Sequence, residues 1–272
     1  MPDISVVIPT FRRPELLAET IASVLAQPEV TSEIIVVDDC PDGSAAPVAA
    51  SFADRGVAYH RTTAPSGGRP ALVRNAGLQH ATADIVHFLD DDDLVPDGYY
   101  PAALDLFRRN RQVGVVFGRI EPFGEQDVAA ETGYFDTAYR NARFLAHFGT
   151  RLGFSASMVF RSTLIICSAA MIRRQSAQAL GGFDPNPLLA EDVEFYARAI
   201  RRFGAVVADR TSIRYRIGPS LMRSERQLDE RQQLISAAYR SFQRRYHRDH
   251  GVLDYSALKV FAHLLGAVHA VR

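Results

Sequence analysis

The stretch Ile85-Val86-His87-Phe88-Leu89-Asp90-Asp91-Asp92-Asp93 joins a short apolar run to four consecutive aspartates. Carboxylates a few ångströms apart repel one another, so such a run is stable only where water or a cation neutralises it. Mg²⁺ and Mn²⁺ prefer carboxylate oxygens and complete their coordination shells with water and substrate phosphates. The run therefore predicts either a diphosphate held by a metal or, more simply, an acidic turn that precedes the next helix.

The composition is that of a globular protein. The chain has 272 residues, of which 47% are hydrophobic and 23% charged, so it can bury a substantial core. Lys plus Arg and Asp plus Glu both number 31, so no overall basic field indicates a nucleic-acid partner. Two cysteines, Cys40 and Cys167, argue against a disulfide framework and fit a reducing compartment. With neither a secretory-signal pattern nor an apolar segment of the ~20 residues that span a bilayer, we expect a cytoplasmic protein.

Strand and helix signals alternate along the first hundred residues. Short apolar runs predict strands at 4–8, 33–37, 57–60 and 85–89, and apolar-periodic helices begin at Pro14 and at about Pro70. This order predicts an α/β fold with a mostly parallel, Rossmann-like sheet flanked by helices. The strands are apolar throughout rather than alternating, which supports the prediction because parallel strands are buried on both faces.

Polar segments follow three of these strands. They are Pro9-Thr10, Asp38-Asp39 and the four aspartates. Open α/β sheets bind ligands at the carboxyl ends of their strands, so we expect the three segments to meet at one edge. Neither a dinucleotide fingerprint nor a P-loop is present, so a metal and arginines such as Arg69 or Arg74 would have to meet the charge of a phosphate.

Six short motifs resemble, in order and approximate spacing, those of the inverting family 2 glycosyltransferases with the GT-A fold. They are Ser5-Val6-Val7-Ile8-Pro9-Thr10, Val36-Val37-Asp38-Asp39, Arg74-Asn75, Phe88 to Asp93, Gly181-Gly182-Phe183-Asp184 and Glu191-Asp192. The resemblance covers about residues 3–217. It implies a catalytic domain over 1–217, with a nucleotide-sugar-binding part at about 1–118 and an acceptor-binding part at 119–217. A lid and a helical extension would follow at 218–272.

The resemblance also implies roles for individual residues. Asp39 would contact the nucleobase, Asp92 would ligate Mn²⁺ or Mg²⁺, and Asp192 would be the general base, with Glu191 on the acceptor side. The other donor contacts would come from Pro9, Thr10, Arg12, Arg69, Arg74, Asp90 and Asp91. From the residues alone, Glu191 and Asp192 are equally well explained as carboxylates in the first turn of a helix, where they complement its dipole.

These roles predict a metal-dependent inverting transferase that moves a sugar from a nucleotide diphosphate to an acceptor hydroxyl. A UDP-sugar is the first candidate donor and a dTDP-sugar the next; the acceptor would be a glycan, a lipid-linked molecule or a small molecule. A sugar-nucleotide-forming nucleotidyltransferase is disfavoured, because no Gly-rich loop with Lys and Arg follows the first strand. A catalytically silent nucleotide-sugar-binding protein is the alternative from a different class.

The second half of the chain carries weaker signals. Residues 164–166 and 169–172 are predicted as strand segments, and a helix is predicted to open at Ala190 to Asp192. Where many members of the family have a histidine after the strand that ends near Ile217, this chain has Gly218-Pro219-Ser220. Residues 220–226 are predicted as a lid, with Arg223 or Arg226 reaching the leaving phosphate.

Beyond residue 220 the sequence is helical in pattern. Basic residues come first, at Arg240, Arg244, Arg245, His247, Arg248 and His250, and an apolar face follows at Leu253, Ala257, Val260, Phe261, Leu264 and Val268. Two interpretations stay open. The helix packs on the catalytic domain or on a second subunit in a homodimer, or it docks peripherally on the inner face of an anionic membrane.

Overall fold

The structure is a computed structural model that describes residues 1–124, 128–147, 149–161, 164–187, 189–218 and 228–270. Within them, seven strands form one sheet in the order β3-β2-β1-β4-β6-β5-β7. The strands are β1 (Ile4–Thr10), β2 (Ser32–Asp38), β3 (Val57–Arg61), β4 (Ile85–Phe88), β5 (Val115–Gly124), β6 (Ala170–Arg173) and β7 (Ala205–Ile217).

Helices connect and cover these strands. They are α1 (Pro14–Leu25), α2 (Ala46–Ser51), α3 (Pro70–Leu78), α4 (Tyr99–Arg109), α5 (Val128–Ala146), α6 (Thr150–Phe160), α7 (Arg174–Ala179), α8 (Glu191–Phe203) and α9 (Leu228–Ala270). Pro14 and Pro70 occupy the first position of their helices, where a missing N–H is tolerated. The predicted helix starts are therefore confirmed.

The sheet is mostly parallel, as the alternation of strands and helices predicted. Strands β3, β2, β1 and β4 pair in parallel, β6 runs antiparallel between β4 and β5, and β7 is parallel to β5. All parallel carboxyl ends therefore lie at one edge. The proposed division near residue 118 falls inside β5, so it would separate two ligand-binding regions of one continuous sheet.

Both faces of the sheet are buried. Val6 and Ile8 belong to a core with α1, α2 and α4, whereas Val7 belongs to a second core with α3, α6 and α8. Close packing on this second face depends on Gly77 of α3, because a Cβ there would meet Cγ1 of Val7 at 2.3 Å. Burial on both faces explains why the strands are apolar without alternation.

The predicted strand at residues 164–166 is wrong. Leu164 and Ile165 are buried, but the segment pairs with no strand in the described structure, and a 3-10 turn, Cys167–Ala169, follows it. Only Ala170–Arg173 pairs with neighbours, because β4 and β5 offer it partners on both sides. An apolar run of three residues therefore marked burial here rather than strand pairing.

Helix α9 bends at Gly251, whose left-handed φ of 80° separates helical segments at 228–250 and 252–270. Both segments pack on the core, through Phe242 and Tyr246 in the first and Leu258 and Ala262 in the second. The helix therefore packs on the rest of the fold, and its contact with a second subunit or a membrane stays a prediction. No helix in the described residues is long and apolar enough to cross a bilayer.

The apolar face predicted for this helix is not the face that packs. Leu253, Ala257, Val260 and Leu264 are exposed and Phe261 is half-buried, whereas the side chain of Val268 lies outside the described residues. The prediction missed that a second apolar row, which includes Leu258 and Ala262, follows the same helical period. The predicted lid at 220–226 with Arg223 and Arg226 also lies outside the described residues.

Candidate active site

The three polar segments meet at the carboxyl edge of the sheet, as predicted. The hydroxyl of Thr10, at the end of β1, donates to Oδ2 of Asp91 at 2.7 Å. The backbone N–H of Asp39, just after β2, donates to the carbonyl of Thr10 at 2.9 Å. Pro9 lies one residue earlier, paired with Val37 in the parallel ladder. Adjacent parallel strands thus bring residues far apart in sequence into direct contact.

Arg13 pairs with two carboxylates of the aspartate run, and the sequence analysis missed it. Its NH1 lies 3.2 Å from Oδ1 of Asp91 and 2.8 Å from Oδ2 of Asp92. Arg13 stands between β1 and α1, three residues beyond Thr10. That position, at the same sheet edge as the aspartates, is the signal by which it could have been found.

One guanidinium does not offset the repulsion within the run. Burial, together with the charge of Asp92, raises the pKa of Asp91 to about 7, against the opposing effects of Arg13 and the Thr10 hydroxyl. Burial and the charge of Asp90 raise the pKa of Asp92 as well. Further positive charge at this edge would therefore be stabilising.

The carboxylate oxygens of the aspartate run are the type of ligand that a hard divalent cation prefers. In the described residues no three His, Cys, Asp or Glu side chains converge as a complete metal site. Mg²⁺, however, is usually bound through one or two carboxylates and completed by phosphates and water. Asp92 is half-buried and already faces a cationic group, so it can serve as such an anchor.

Asp93 has a structural role in the same turn. Its Oδ1 accepts the backbone N–H of Arg216 in β7 at 3.0 Å, and its carbonyl accepts the hydroxyl of Thr20 in α1 at 2.9 Å. Nε of Arg216 also donates to the carbonyl of Asp92 at 2.8 Å. The turn is thereby fixed from both sides, which holds Asp92 in place.

Asp39 organises the loop before α3. Its carboxylate accepts the N–H of Ser66 at 2.9 Å, the Ser66 hydroxyl at 2.6 Å and the Thr62 hydroxyl at 3.0 Å. The Ser66 hydroxyl in turn accepts the N–H of Arg69, whose side chain is exposed. This loop is therefore tied to Asp39, and each carboxylate oxygen already accepts two hydrogen bonds from it, so a donor group on a ligand would replace one of them.

Arg74 joins the carboxyl edge of the sheet to helix α8. Its NH2 lies 2.6 Å from Oδ1 of Asp90, and its NH1 lies 2.6 Å from Oε1 of Glu191. The side chain is 5% exposed and its guanidinium carbon lies 5.5 Å from the centre of the Phe183 ring. The structure thus places Arg74 between two carboxylates, beneath the surface, and its contact with a nucleotide sugar stays a prediction.

Asn75, the next residue, explains why the Gly-Gly-Phe motif accompanies the Arg-Asn motif. Its side-chain amide exchanges two hydrogen bonds with the backbone of Phe183, at 2.8 and 2.9 Å. A Cβ at Gly182, whose φ is 76°, would meet Oδ1 of Asn75 at 2.4 Å. The Phe183 ring then stacks on Phe195 of α8, with centroids 4.0 Å apart, and meets Phe88 edge-on. These residues hold α8 against β4.

Asp192 lies in the first turn of α8. Its Oδ2 accepts the N–H of Cys167 at 3.0 Å, and its Oδ1 accepts the N–H of Val193 at 2.8 Å. The preceding residue, Ala190, has a left-handed φ of 59°, which costs about 1–2 kcal/mol for a residue with a Cβ. Non-glycine residues hold such conformations where the surrounding structure enforces them, often at functional sites.

The pKa of the Asp192 carboxyl is raised to about 7. Burial is the main cause, the charge of Glu191 adds to it, and Arg74 opposes it. A group that titrates near neutral pH is suited to accept a proton from a hydroxyl and release it again.

Arg12 lies apart from the aspartate run, and His87 lies inside the core. Arg12 is exposed and pairs with Asp42 at 3.1 Å, so its described contacts do not join it to the aspartate run. His87 is fully buried, with hydrogen bonds of 2.8 Å to the Tyr100 hydroxyl and the Ser168 carbonyl. Burial lowers the pKa of His87 to about 4, as expected of a neutral core histidine.

Comparison with known protein families finds one match over most of the chain. The profile of glycosyl transferase family 2 matches residues 5–181, which is more than half of the sequence. The pre-mycofactocin glycosyltransferase of Mycobacterium tuberculosis is 32% identical over 208 residues, covering 73% of this chain and 39% of that protein. The poly(ribitol-phosphate) beta-N-acetylglucosaminyltransferase TarP of Staphylococcus aureus is 33% identical over 97 residues, covering 35% and 30%. The chain spans about a third of the length of these curated relatives.

Solved structures share the fold at low sequence identity. TarS 1-349 of S. aureus in complex with UDP-GlcNAc has a TM-score of 0.62 at 14% identity, covering 96% of this chain and 79% of that one. The mannosyltransferase PcManGT of Pyrobaculum calidifontis in complex with GDP-Man and Mn²⁺ has a TM-score of 0.58 at 17% identity, covering 100% and 81%. The predicted GT-A architecture is confirmed.

Proposed function

The chain belongs to glycosyl transferase family 2, and from that membership we propose that it transfers a sugar from a nucleotide diphosphate sugar to an acceptor hydroxyl, with inversion at the anomeric carbon. The contact that carries this proposal is the one made by Arg74. A single guanidinium binds Asp90, at the donor edge of the sheet, and Glu191, next to Asp192. A donor held at that edge would therefore lie beside a carboxylate able to accept a proton.

Asp192 is the proposed general base. As the acceptor oxygen attacks the anomeric carbon, its proton passes to the Asp192 carboxylate, and the bond from that carbon to the diphosphate oxygen breaks. Such assistance is typically worth about 10²–10⁴-fold in rate. Backbone N–H groups of Cys167 and Val193 bind one oxygen each, so the carboxylate is held in place and each oxygen retains a lone pair for the proton.

Asp92 is the proposed anchor of a divalent cation, Mn²⁺ or Mg²⁺. Bound there with the donor, the cation would neutralise charge on the departing diphosphate. Arg13 contacts the same carboxylate and is the added candidate for a phosphate contact. Glu191 is proposed to position the helix end, and through it Asp192, rather than to react, because Arg74 binds it in the interior.

Asp39 is the proposed nucleobase contact. Its carboxylate can accept the N3–H of uracil or thymine, a donor that cytosine lacks, so UDP is the first candidate and dTDP the next. Pro9 and Thr10 would line the same pocket, with Arg12 and Arg69 at its exposed rim and Asp90 and Asp91 toward the ribose. The neighbouring structures carry a UDP-sugar and a GDP-sugar, so the fold alone does not select the nucleotide.

A donor panel tests the proposed reaction. The full chain is incubated with Mn²⁺ and a set of UDP-, dTDP- and GDP-sugars, with and without glycan, lipid-linked and small-molecule acceptors. Release of nucleoside diphosphate, enhanced by an acceptor, supports the transferase. Formation of pyrophosphate from a sugar phosphate and a nucleoside triphosphate would instead identify the protein as a nucleotidyltransferase. Binding of a donor without turnover of any donor in the panel would identify the protein as a catalytically silent nucleotide-sugar-binding protein.

A further inference from the structure

An apolar row runs along the outer side of the second segment of α9. Leu253, Val260 and Leu264 are 84%, 60% and 57% exposed, and Ala257 between them is exposed as well. The spacing of three to four residues places all four on one side of the helix. The buried residues Leu258 and Ala262 lie on the opposite side, so the exposed row is not part of the core.

A basic pocket lies between the two segments of α9, on the side of the second segment that carries Tyr255. It has a volume of about 350 Å³ and is lined by Arg240, Gln243, Arg244, His247 and Tyr255. Among the described acidic side chains, none forms an ion pair with Arg240 or Arg244. A concave site with two guanidinium groups, an imidazole and a phenol is suited to a phosphate group.

The positive charge continues from the pocket to the apolar row. Lys259, the chain's single lysine, and His263 are exposed on the second segment, one turn apart, and flank the row on the side of Tyr255. The nearby acidic residue Asp254 is already paired with Arg201 of α8 at 2.6 Å. The surface therefore combines an apolar row with an adjacent basic flank.

We propose that α9 docks this protein on an anionic lipid bilayer. The row of Leu253, Ala257, Val260 and Leu264 lies in the interfacial layer, and Arg240 and Arg244 bind lipid phosphates. Amphipathic helices bind membranes through this pairing of an apolar face with basic side chains. A second copy of the chain fits less well, since a symmetric contact through this face would bring a second set of the same cations into the interface.

Docking through α9 would also orient the candidate active site. Arg245 of α9 pairs with Asp184, and Asp254 pairs with Arg201 on α8. The helix that carries Asp192 is therefore fixed to the helix that contacts the bilayer. An acceptor held in the membrane would approach the site from a defined side.

Vesicle flotation tests this docking with the full chain. Binding to vesicles that contain phosphatidylglycerol should exceed binding to pure phosphatidylcholine vesicles, and high salt should weaken it. Arg240→Glu/Arg244→Glu should lower anionic vesicle binding by tenfold or more, and so should Val260→Glu/Leu264→Glu. The matched control is Arg108→Glu/Arg111→Glu, which makes the same charge change at exposed positions in and after α4 and should leave binding unchanged. Equal loss in this control, or equal binding to both vesicle types, would overturn the proposal.

A fluorescence measurement keeps the test independent of these charge changes. The chain contains no tryptophan, so Val260→Trp introduces a single reporter at an exposed position. Its emission should shift to shorter wavelength with anionic vesicles and be quenched by brominated acyl chains. A shift that depends on protein concentration without vesicles, accompanied by a dimer in analytical ultracentrifugation, would assign the row to a second copy instead. Both readouts are independent of the proposed transferase activity.

Discussion

Replacing Arg74 by methionine should destabilise the protein by about 3–5 kcal/mol, the range for breaking a buried ion pair by removing one partner. Methionine has a similar length but can bind neither carboxylate. Asp90 is 34% exposed, so water can replace Arg74 there, whereas the Glu191 side chain is 8% exposed and would be left charged and unpaired. Most of the loss is therefore expected from Glu191. Loss of the Arg74 contact with the Phe183 ring adds a smaller amount.

Chemical denaturation of the full chain measures this loss. Replacing both partners, as Arg74→Met/Glu191→Met, should recover a large part of the stability, because apolar groups then fill the site without an unpaired charge. Arg109→Met is the control, since Arg109 forms an exposed pair with Asp105 and should change stability by about 0–1 kcal/mol. A loss below about 1 kcal/mol for Arg74→Met, or effects that simply add in the double variant, would refute the buried bridge.

The same substitution has a pH-dependent consequence. Asp192 must be deprotonated to act as a base, so transfer activity should rise with pH through its pKa, which burial brings to about 7. The positive charge of Arg74 lowers that pKa, so its removal should move the acidic limb of the activity profile to higher pH. An unshifted limb in the residual activity of Arg74→Met would show that Arg74 does not act on Asp192.

Three further substitutions test the donor side. Asp92→Asn should weaken donor binding in Mn²⁺ far more than in EDTA, and equal donor affinity of both proteins in Mn²⁺ would exclude Asp92 as the anchor. Asp39→Ala should weaken UDP binding by about 1.5–3 kcal/mol and relax discrimination against CDP, as calorimetry with both nucleotides would show; unchanged binding of both would exclude the contact. Arg13→Gln should lower the melting temperature in EDTA. Addition of Mn²⁺ should then raise the melting temperature of this variant more than that of the wild type, because the cation replaces the lost guanidinium charge. An equal rise in both proteins would contradict this.

The sheet and its functional edge were predictable from the sequence because burial on two faces leaves a strong local signal. Runs such as 4–8 and 33–37 are apolar throughout, and proline or aspartate ends them. Once those strands are parallel, their polar ends must meet, which the Thr10 to Asp91 hydrogen bond confirms. The same argument places Asp39 beside Thr10.

Side-chain partners were not predictable in the same way. Arg13 and Arg74 are two arginines among many, and only the three-dimensional arrangement shows which carboxylates each one binds. Arg74 meets Glu191 across 117 residues of chain, a pairing that depends on how α8 packs through Phe183 and Phe195. No local pattern specifies that packing.

For the C-terminal helix, the apolar pattern of the sequence could not show which face of the helix is buried. Its second segment carries two apolar rows, one with Leu258 and Ala262 and one with Leu253, Val260 and Leu264. Both rows satisfy the helical period, so the pattern cannot determine which of them is buried. The buried row proved to be the one with the smaller number of large apolar side chains.

The measurement that tests the central claim most directly is the turnover of Asp192→Asn at saturating donor and acceptor, compared with the wild type. Asparagine keeps the shape of the side chain but cannot take up the proton. The account predicts that turnover falls by at least about 100-fold while the nucleotide dissociation constant stays unchanged. Near-normal turnover of Asp192→Asn would contradict the assignment of Asp192 as the base.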